Sequence, residues 1–361
     1  MFIFQQLLIC TGPYRKAQTM SKTSIRFIAS ALVLGMMASL SLASFAQTQG
    51  KLTGGVRYHI PEWFKESFLE IADDAIEAAE ADKHLILFMH MNECPYCAKV
   101  LEESFTNAPF VPWIQSRFDV VEINVRGDRE VVFNESLTVT ERELAEALKV
   151  RQTPALIFLD ATNKAVFRSD GYRSPKDLKR TLDFIDSKSY LTSSLNEYIA
   201  KTSSGPSYTF RDHPSFSDTR DLSTSNQPVM VVFEDVDCDS CDLMHDTLMR
   251  DEVVNELLGS LTVVRLDARS EAPVTTPSGE KTTPKDWSKS LGLFARPAIA
   301  IYDGERELLR IAGVLRRFHF QTALRYAAEK QYAKYPSLRE FSRAHRDALL
   351  QAGHTVDLGA Q

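Results

Sequence analysis

Four cysteines carry most of the chemistry this sequence can offer. They form two C-x-x-C pairs, Cys94 and Cys97 in "MNECPYCAKV" and Cys238 and Cys241 in "DVDCDSCDLM". Thiols spaced this way can open and close a disulfide, supply half of a zinc site, or staple a turn. At a helix start, residues i and i+3 come close enough to join. The free N–H groups and the positive end of the helix dipole there also favour a thiolate. On that reading Cys94 lies first in the turn, exposed, and attacks a partner. Cys97, one turn in and partly covered, resolves the mixed disulfide. Pro95 suits the first helical position. A Cys₄ zinc site would have to draw together pairs about 140 residues apart. A purely structural disulfide over two intervening residues would remove little chain entropy.

The second pair has different company. Glu234, Asp235, Asp237, Asp239 and Asp242 crowd Cys238 and Cys241. Nearby negative charge disfavours a thiolate, so Cys238 is expected to be less acidic than Cys94. Cys238, Cys241, Met244 and His245 also fall within eight residues, a soft thiolate, thioether and imidazole set suited to Cu(I). A copper-binding chaperone, or a redox-inactive binding module, is therefore an alternative for this half. The competing description packs Met244 into a core and leaves His245 solvated.

The N-terminus bears on the compartment. Lys22 and Arg26 precede the uncharged run "FIASALVLGMMASLSLASFA", which ends in small residues at Ser44 and Ala46. This is the shape of a secretory signal with cleavage after Ala46, and Met20 sits where such a signal should start. Residues 1–46 are thus expected to be leader and signal peptide, and the mature protein periplasmic. An uncleaved anchor in the inner membrane, facing the periplasm, is the alternative, because the run is long enough to span a bilayer. Of the five cysteines, Cys10 falls in the leader, leaving two complete pairs for an oxidising compartment. The 361 residues carry a net charge of −6 with 44% hydrophobic residues. Without the leader the balance is 38 basic against 48 acidic residues, a net −10, and nothing resembles a basic footprint for nucleic acid.

The chain repeats itself once. Cys94 precedes Pro154 ("RQTPALIFLD") by 60 residues, and Cys238 precedes Pro297 ("FARPAIAIYD") by 59. Gly171 and Gly313 follow those prolines by 17 and 16, and Tyr190 and Tyr332 follow the glycines by 19 each. Two related domains are expected, residues 47–200 and 219–361, joined by a Ser/Gly/Pro-rich linker at 201–218. Each reads as alternating strand and helix. "HLILFMH" (84–90) is a buried-strand run, "DVVEINV" (119–125) alternates, and "TERELAEALKV" (140–150) opens with a Thr-x-x-Glu capping box. "ALIFLD" and "AVFRS" are further strands, and Ser174 and Pro175 start a helix carrying Leu178, Leu182 and Ile185 on one face. The second copy repeats the order with "VMVVFED", "LTVVRLDA", "AIAIYD", "LLRIAG" and a helix over 318–330. The fold class is α/β, two tandem domains each with a central mixed sheet flanked by helices.

This arrangement resembles the thioredoxin superfamily. The resemblance is carried by "CPYCAK" (94–99), "TPALIFLD" (153–160) and "AGVLRRFHFQTALRYAAEKQYAKYPSLREF" (312–341). It looks most like exported thioredoxins encoded with bacterial sulfur-oxidation systems (SoxW-type) and covers residues 57–345 as two units. The resemblance implies a cis-proline at Pro154 and Pro297 facing each dithiol, with Thr153 and Arg296 offering contacts to a docked peptide. It implies protein thiol–disulfide exchange, more in the reducing than the oxidising direction, with no small-molecule cofactor. Electrons would come from a membrane donor of the CcdA/DsbD type, and the partners would be proteins bearing disulfides or thiols. A disulfide isomerase with two sites on one chain is a further alternative. The sequence departs from the family where Glu93 replaces the usual Trp before the first cysteine. The buried Asp of cytoplasmic thioredoxins also has no counterpart. His90, Glu93 and Glu234 stand near the pairs as possible modulators, His90 otherwise being a plain strand-end histidine.

Overall fold

The computed structural model describes residues 49–203 and 205–360; the leader and signal sequence expected over 1–46 lie outside that range. The first half runs β1 (Leu52–Thr53), α1 (Ile71–Glu80), β2 (His84–His90) and α2 (Pro95–Val100), which passes into a π-helical turn (Leu101–Thr106). Then come α3 (Val111–Arg117), β3 (Phe118–Asn124), a hairpin of β4 (Glu130–Asn134) and β5 (Leu137–Thr140), and α4 (Glu141–Ala147). β6 (Ala155–Leu159), β7 (Ala165–Asp170), α5 (Pro175–Asp186) and α6 (Leu195–Thr202) complete it. The second half comprises β8 (Val229–Glu234), α7 (Cys241–Asp246), α8 (Glu252–Leu258), β9 (Thr262–Asp267), and a short pair β10 (Val274–Thr275) and β11 (Lys281–Thr282). α9 (Pro284–Ser290), β12 (Ala298–Asp303), β13 (Arg306–Ala312), α10 (Arg317–Ala328), α11 (Leu338–Gln351) and β14 (Val356–Asp357) follow.

The repeat read from spacing is a repeat in space. One four-stranded sheet has the order β3-β2-β6-β7 and the other β9-β8-β12-β13. In each, the first two strands are parallel and the rest antiparallel. β2 is buried along its whole length because both of its faces are covered. Ile86 and Phe88 pack with Phe105, Leu178, Leu182 and Ile185, whereas Leu85, Leu87 and Met89 pack on the opposite face with Ile71, Ala75 and Leu144. A fully buried side chain of this size contributes roughly 1.5–3 kcal/mol. Capping behaves as the residue types require. Thr140 and Glu143 form the reciprocal capping box of α4, and Ser174 accepts the Asp177 N–H with Pro175 in the first turn of α5.

Three features were not legible. α1, whose buried face of Ile71, Ala75 and Ala78 is built mostly of small alanines, and the short β4–β5 hairpin are additions to the expected elements, and the helix behind Cys97 turns π-helical after Val100. The Ser/Gly/Pro-rich segment over 201–218 is held against the second half. Ser207 and Tyr208 both donate their N–H to Val236 O (2.8 and 3.0 Å), and Ser217 N–H reaches Val263 O at 2.8 Å. Tyr208, Phe210 and Phe216 supply the apolar contacts that its polar composition hides.

Residues 49–361 are one compact unit, and among the contacts that tie its halves together two concern the backbone. β14 returns to pair in parallel with β1, Leu52 opposite Val356. Gly171 and Gly313, the paired landmarks, also meet across the halves. Both have positive φ (79° and 85°), and each donates its N–H to the carbonyl of its own landmark proline at 2.8 Å. A Cβ at Gly171 would lie 3.2 Å from Ala312 O, and one at Gly313 would lie 2.9 Å from Arg173 Nη1. A side chain at either place would push the halves apart.

Candidate active site

In the first half α2 begins one residue after Cys94, so Cys94 is its N-cap. Its Sγ accepts the Cys97 N–H at 3.1 Å. The Cα atoms of Cys94 and Cys97 are 5.2 Å apart, and the two sulfurs are bonded. Thr153 stands opposite, its carbonyl oxygen 3.8 Å and its hydroxyl 3.5 Å from Cys94 Sγ. The Thr153–Pro154 bond is cis, as is Arg296–Pro297. Glu93 is exposed and holds a left-handed φ of 59°, the turn that delivers Cys94 to the helix.

The second pair is also bonded, with Cα atoms 5.4 Å apart, but its helix starts later. α7 begins at Cys241 itself, its N-cap Ser240 makes no side-chain bond, and Cys241 N–H goes to Cys238 O at 3.3 Å. Among the described residues no N–H is directed at Cys238 Sγ. Tyr208 and Phe210 pack against this disulfide instead.

A family model described as "Thioredoxin-like domain" matches the chain twice, over residues 71–186 and 216–328. The chain belongs to the thioredoxin-like family. Among solved structures it is similar to a thioredoxin-fold protein from Helicobacter pylori, at 20% identity over 38% of this chain and 97% of that one, with a TM-score of 0.31. A thioredoxin from Thermus thermophilus is 20% identical over 39% of this chain and 89% of its own (TM-score 0.26). An oxidoreductase named DsbH is 19% identical over 38% and 94% (TM-score 0.24). A comparison with curated proteins gave no match.

Two expectations about the thioredoxin-like sites need correction. Cys94 is not exposed: it retains 1% of its accessible surface, Cys97 none, and Cys238 1%. The spacing places Cys94 at a helix start but says nothing about what lies over it. Arg296 does not offer its side chain outward either. Its guanidinium is buried, held by Asp235 at 3.1 Å and by the carbonyls of Leu293 and Ala295 at 2.6 and 2.9 Å. The acidic crowd is likewise matched. Asp237 pairs with Arg269, Asp239 with Lys176 (2.8 Å) and Arg180 (3.5 Å), and Asp242 with Arg211 (3.2 Å).

The copper set is divided between different surroundings. The cysteines are in a disulfide beside Tyr208, and Met244 packs in the core with Met230, Val232 and Leu324. His245 is buried and bonds Glu234 at 2.7 Å, so it is not the solvated histidine of the competing reading.

His90 and Glu234 occupy equivalent positions, each four residues before its first cysteine, and both belong to buried networks. His90 joins Tyr58 OH (2.8 Å) to Glu122 (2.6 Å), while Glu234 joins Tyr208 OH (3.0 Å) to His245 (2.7 Å). Tyrosine, histidine and glutamate recur with the last two exchanged. Burial opposes ionisation of Glu122, but the His90 bond and Arg129 bring its carboxyl below the usual range. Burial, then Glu234, pushes the Tyr208 hydroxyl far up, so it stays a donor. Tyr58, Tyr208 and Tyr96 are the residues that motif reading missed. Tyr58 and Tyr208 precede their network partners by 32 and 26 residues, offsets too unequal for the repeat spacing to mark them.

Proposed function

We propose that this protein is an exported thiol–disulfide oxidoreductase that acts in the periplasm and reduces protein disulfides. The observation that carries the reading is the Cys97 N–H on Cys94 Sγ at the start of α2, with Thr153 across from the same sulfur. That N–H stabilises negative charge on Cys94 when the pair is reduced, by about 1.5–3 kcal/mol for a bond to a charged group. The Cys94 thiolate attacks one sulfur of a substrate disulfide. That S–S bond breaks, and the departing substrate thiolate takes a proton. Cys97 then attacks Cys94 Sγ and releases the second substrate thiol. Two electrons pass from dithiol to substrate, and Cys94–Cys97 is left oxidised. A membrane dithiol donor of the CcdA/DsbD type would return the two electrons. The C-terminal stretch over 312–341 supports kinship with the exported thioredoxins of sulfur-oxidation systems.

The test is insulin reduction by the purified protein with dithiothreitol as donor. Cys94→Ser is expected to lower the rate at least about 100-fold if the first pair does most of the work, and Cys238→Ser by a few-fold. Wild type no faster than dithiothreitol alone refutes the reading.

A further inference from the structure

Both dithiol faces are occupied, and by the same part of the fold. Over the second pair, Lys176 Nζ lies 2.8 Å from Asp239 Oδ1, and Arg180 Nη1 lies 3.5 Å from Asp239 Oδ2 and 3.5 Å from Asp237 O. Both cations stand in the first two turns of α5. Over the first pair, Arg316 caps α10. It donates its backbone N–H to the Tyr96 hydroxyl and lays its guanidinium over the Tyr96 ring, 5.4 Å from the centroid. α5 and α10 are equivalent helices of the two halves. The contact is therefore reciprocal: a residue between the cysteines of one half holds a cation from the other, Asp239 through charge and Tyr96 through its ring. An exposed ion pair would be worth little. These cations are tethered, however, and an intramolecular occupant works at an effective concentration of about millimolar or more.

We infer that each dithiol face is a seat for a cationic polypeptide segment, which the resting chain keeps filled with its own Lys176–Arg180 and Arg316. This rests on the exchange chemistry proposed above and adds its substrate class and its control. A disulfide partner has to displace the tethered cations, and one with Arg or Lys beside its cysteine competes best. The 1% exposure of Cys238 is owed in part to Tyr208 and Phe210, which pack on that disulfide, so the cations govern approach to the loop between the cysteines rather than the whole of their cover.

The experiment uses the full chain carrying Cys94→Ser and Cys97→Ser, so that only the second pair reports. After reduction it is mixed with two fluorescent disulfide-linked peptides that differ only in flanking Arg or Glu, and separately with the small disulfide 5,5′-dithiobis(2-nitrobenzoate). The Arg peptide is expected to react about ten-fold faster at low salt, with the advantage shrinking toward unity at about 0.5 M salt. Lys176→Ala with Arg180→Ala should speed both peptides several-fold, and Asp239→Asn should abolish the preference for Arg. Reversing the pair, Lys176→Glu with Asp239→Lys, should restore slow reaction, separating an emptied seat from local unfolding. Equal rates for the two peptides, or a Lys176/Arg180 double variant that speeds neither, overturns the inference. Failure of the second pair to react even with the small disulfide also overturns the inference, whereas the exchange reading beneath it falls only if the intact chain fails to reduce insulin.

Discussion

The two halves share a sheet order, a cis-proline and a bonded C-x-x-C pair, yet they treat their cysteines and buried charges differently. The first half gives Cys94 a backbone N–H and keeps its network carboxylate, Glu122, a quarter exposed beside Arg129 at 2.6 Å. The second half gives Cys238 no such donor and keeps its carboxylate, Glu234, at 0% exposure with only His245 and Tyr208 for company. The same three residue types thus do unequal work, because exchanging histidine and glutamate moves the carboxyl group from the rim to the centre. A charge at the rim can lean on water and arginine. A carboxyl at the centre depends on the hydrogen bonds of its two side-chain partners, His245 and Tyr208.

That difference is open to direct attack. His245→Ala leaves the Glu234 carboxyl buried without its closest hydrogen-bond partner and is expected to cost about 3 kcal/mol, read by urea unfolding at pH 7. His90→Ala leaves Glu122 its arginine and some water, and should cost about 1–2 kcal/mol. Equal losses would mean that the exchange of residues is neutral and the contrast drawn here is empty.

The sequence carried the frame of this comparison but little of its substance. Landmark spacing located the pairs, the prolines and Gly171 and Gly313, because each is a backbone requirement that only certain residues meet. The strands were readable because β2, β6, β8 and β12 are buried runs bounded by polar residues. What lay out of reach is pairing across the fold. The acids around Cys238 read as uncompensated charge, and each turns out to face Arg296, Arg269, Lys176, Arg180, Arg211 or His245, some more than 50 residues away. Cover over the cysteines was equally invisible, since it comes from residues distant in sequence, Thr153 at Cys94 and Tyr208 and Phe210 at the second pair.

The covers differ as well, and pH separates them. His319 packs on the Tyr96 ring with its Nδ1 unpartnered, and burial, aided by Arg316, lowers its pKa from 6.5 to about 4. A histidine held neutral binds fewer protons when folded than when unfolded. Its contribution is therefore unimpaired above pH 6.5 and is lost as pH falls from 6.5 toward 4. At pH 5 the loss is about 2 kcal/mol. Burial lowers His84 and His345 too, so the informative quantity is the difference between wild type and His319→Phe. Their stability gap should change by about 2 kcal/mol between pH 7 and pH 5. Parallel curves would remove His319 from the account of the first face.

The smallest effect concerns the sulfurs themselves. Acidic crowding no longer explains why Cys238 should be the weaker acid, because the structure gives those carboxylates cations. The later start of α7 explains it instead: Cys238 lies outside the helix and lacks the N–H that Cys94 receives. A bond to a thiolate of this kind, at the lower end of the range of about 1.5–3 kcal/mol, corresponds to about one pKa unit. Iodoacetamide labelling of the reduced chain across pH, with the other pair replaced by serine, should place the Cys94 midpoint about one unit below that of Cys238. The midpoint, not the absolute rate, is the quantity to compare, since cover slows both sulfurs without fixing the pH at which either ionises. Should Cys238 prove the stronger acid, the cations paired to its neighbours outweigh the missing amide, and the second site would become the better nucleophile.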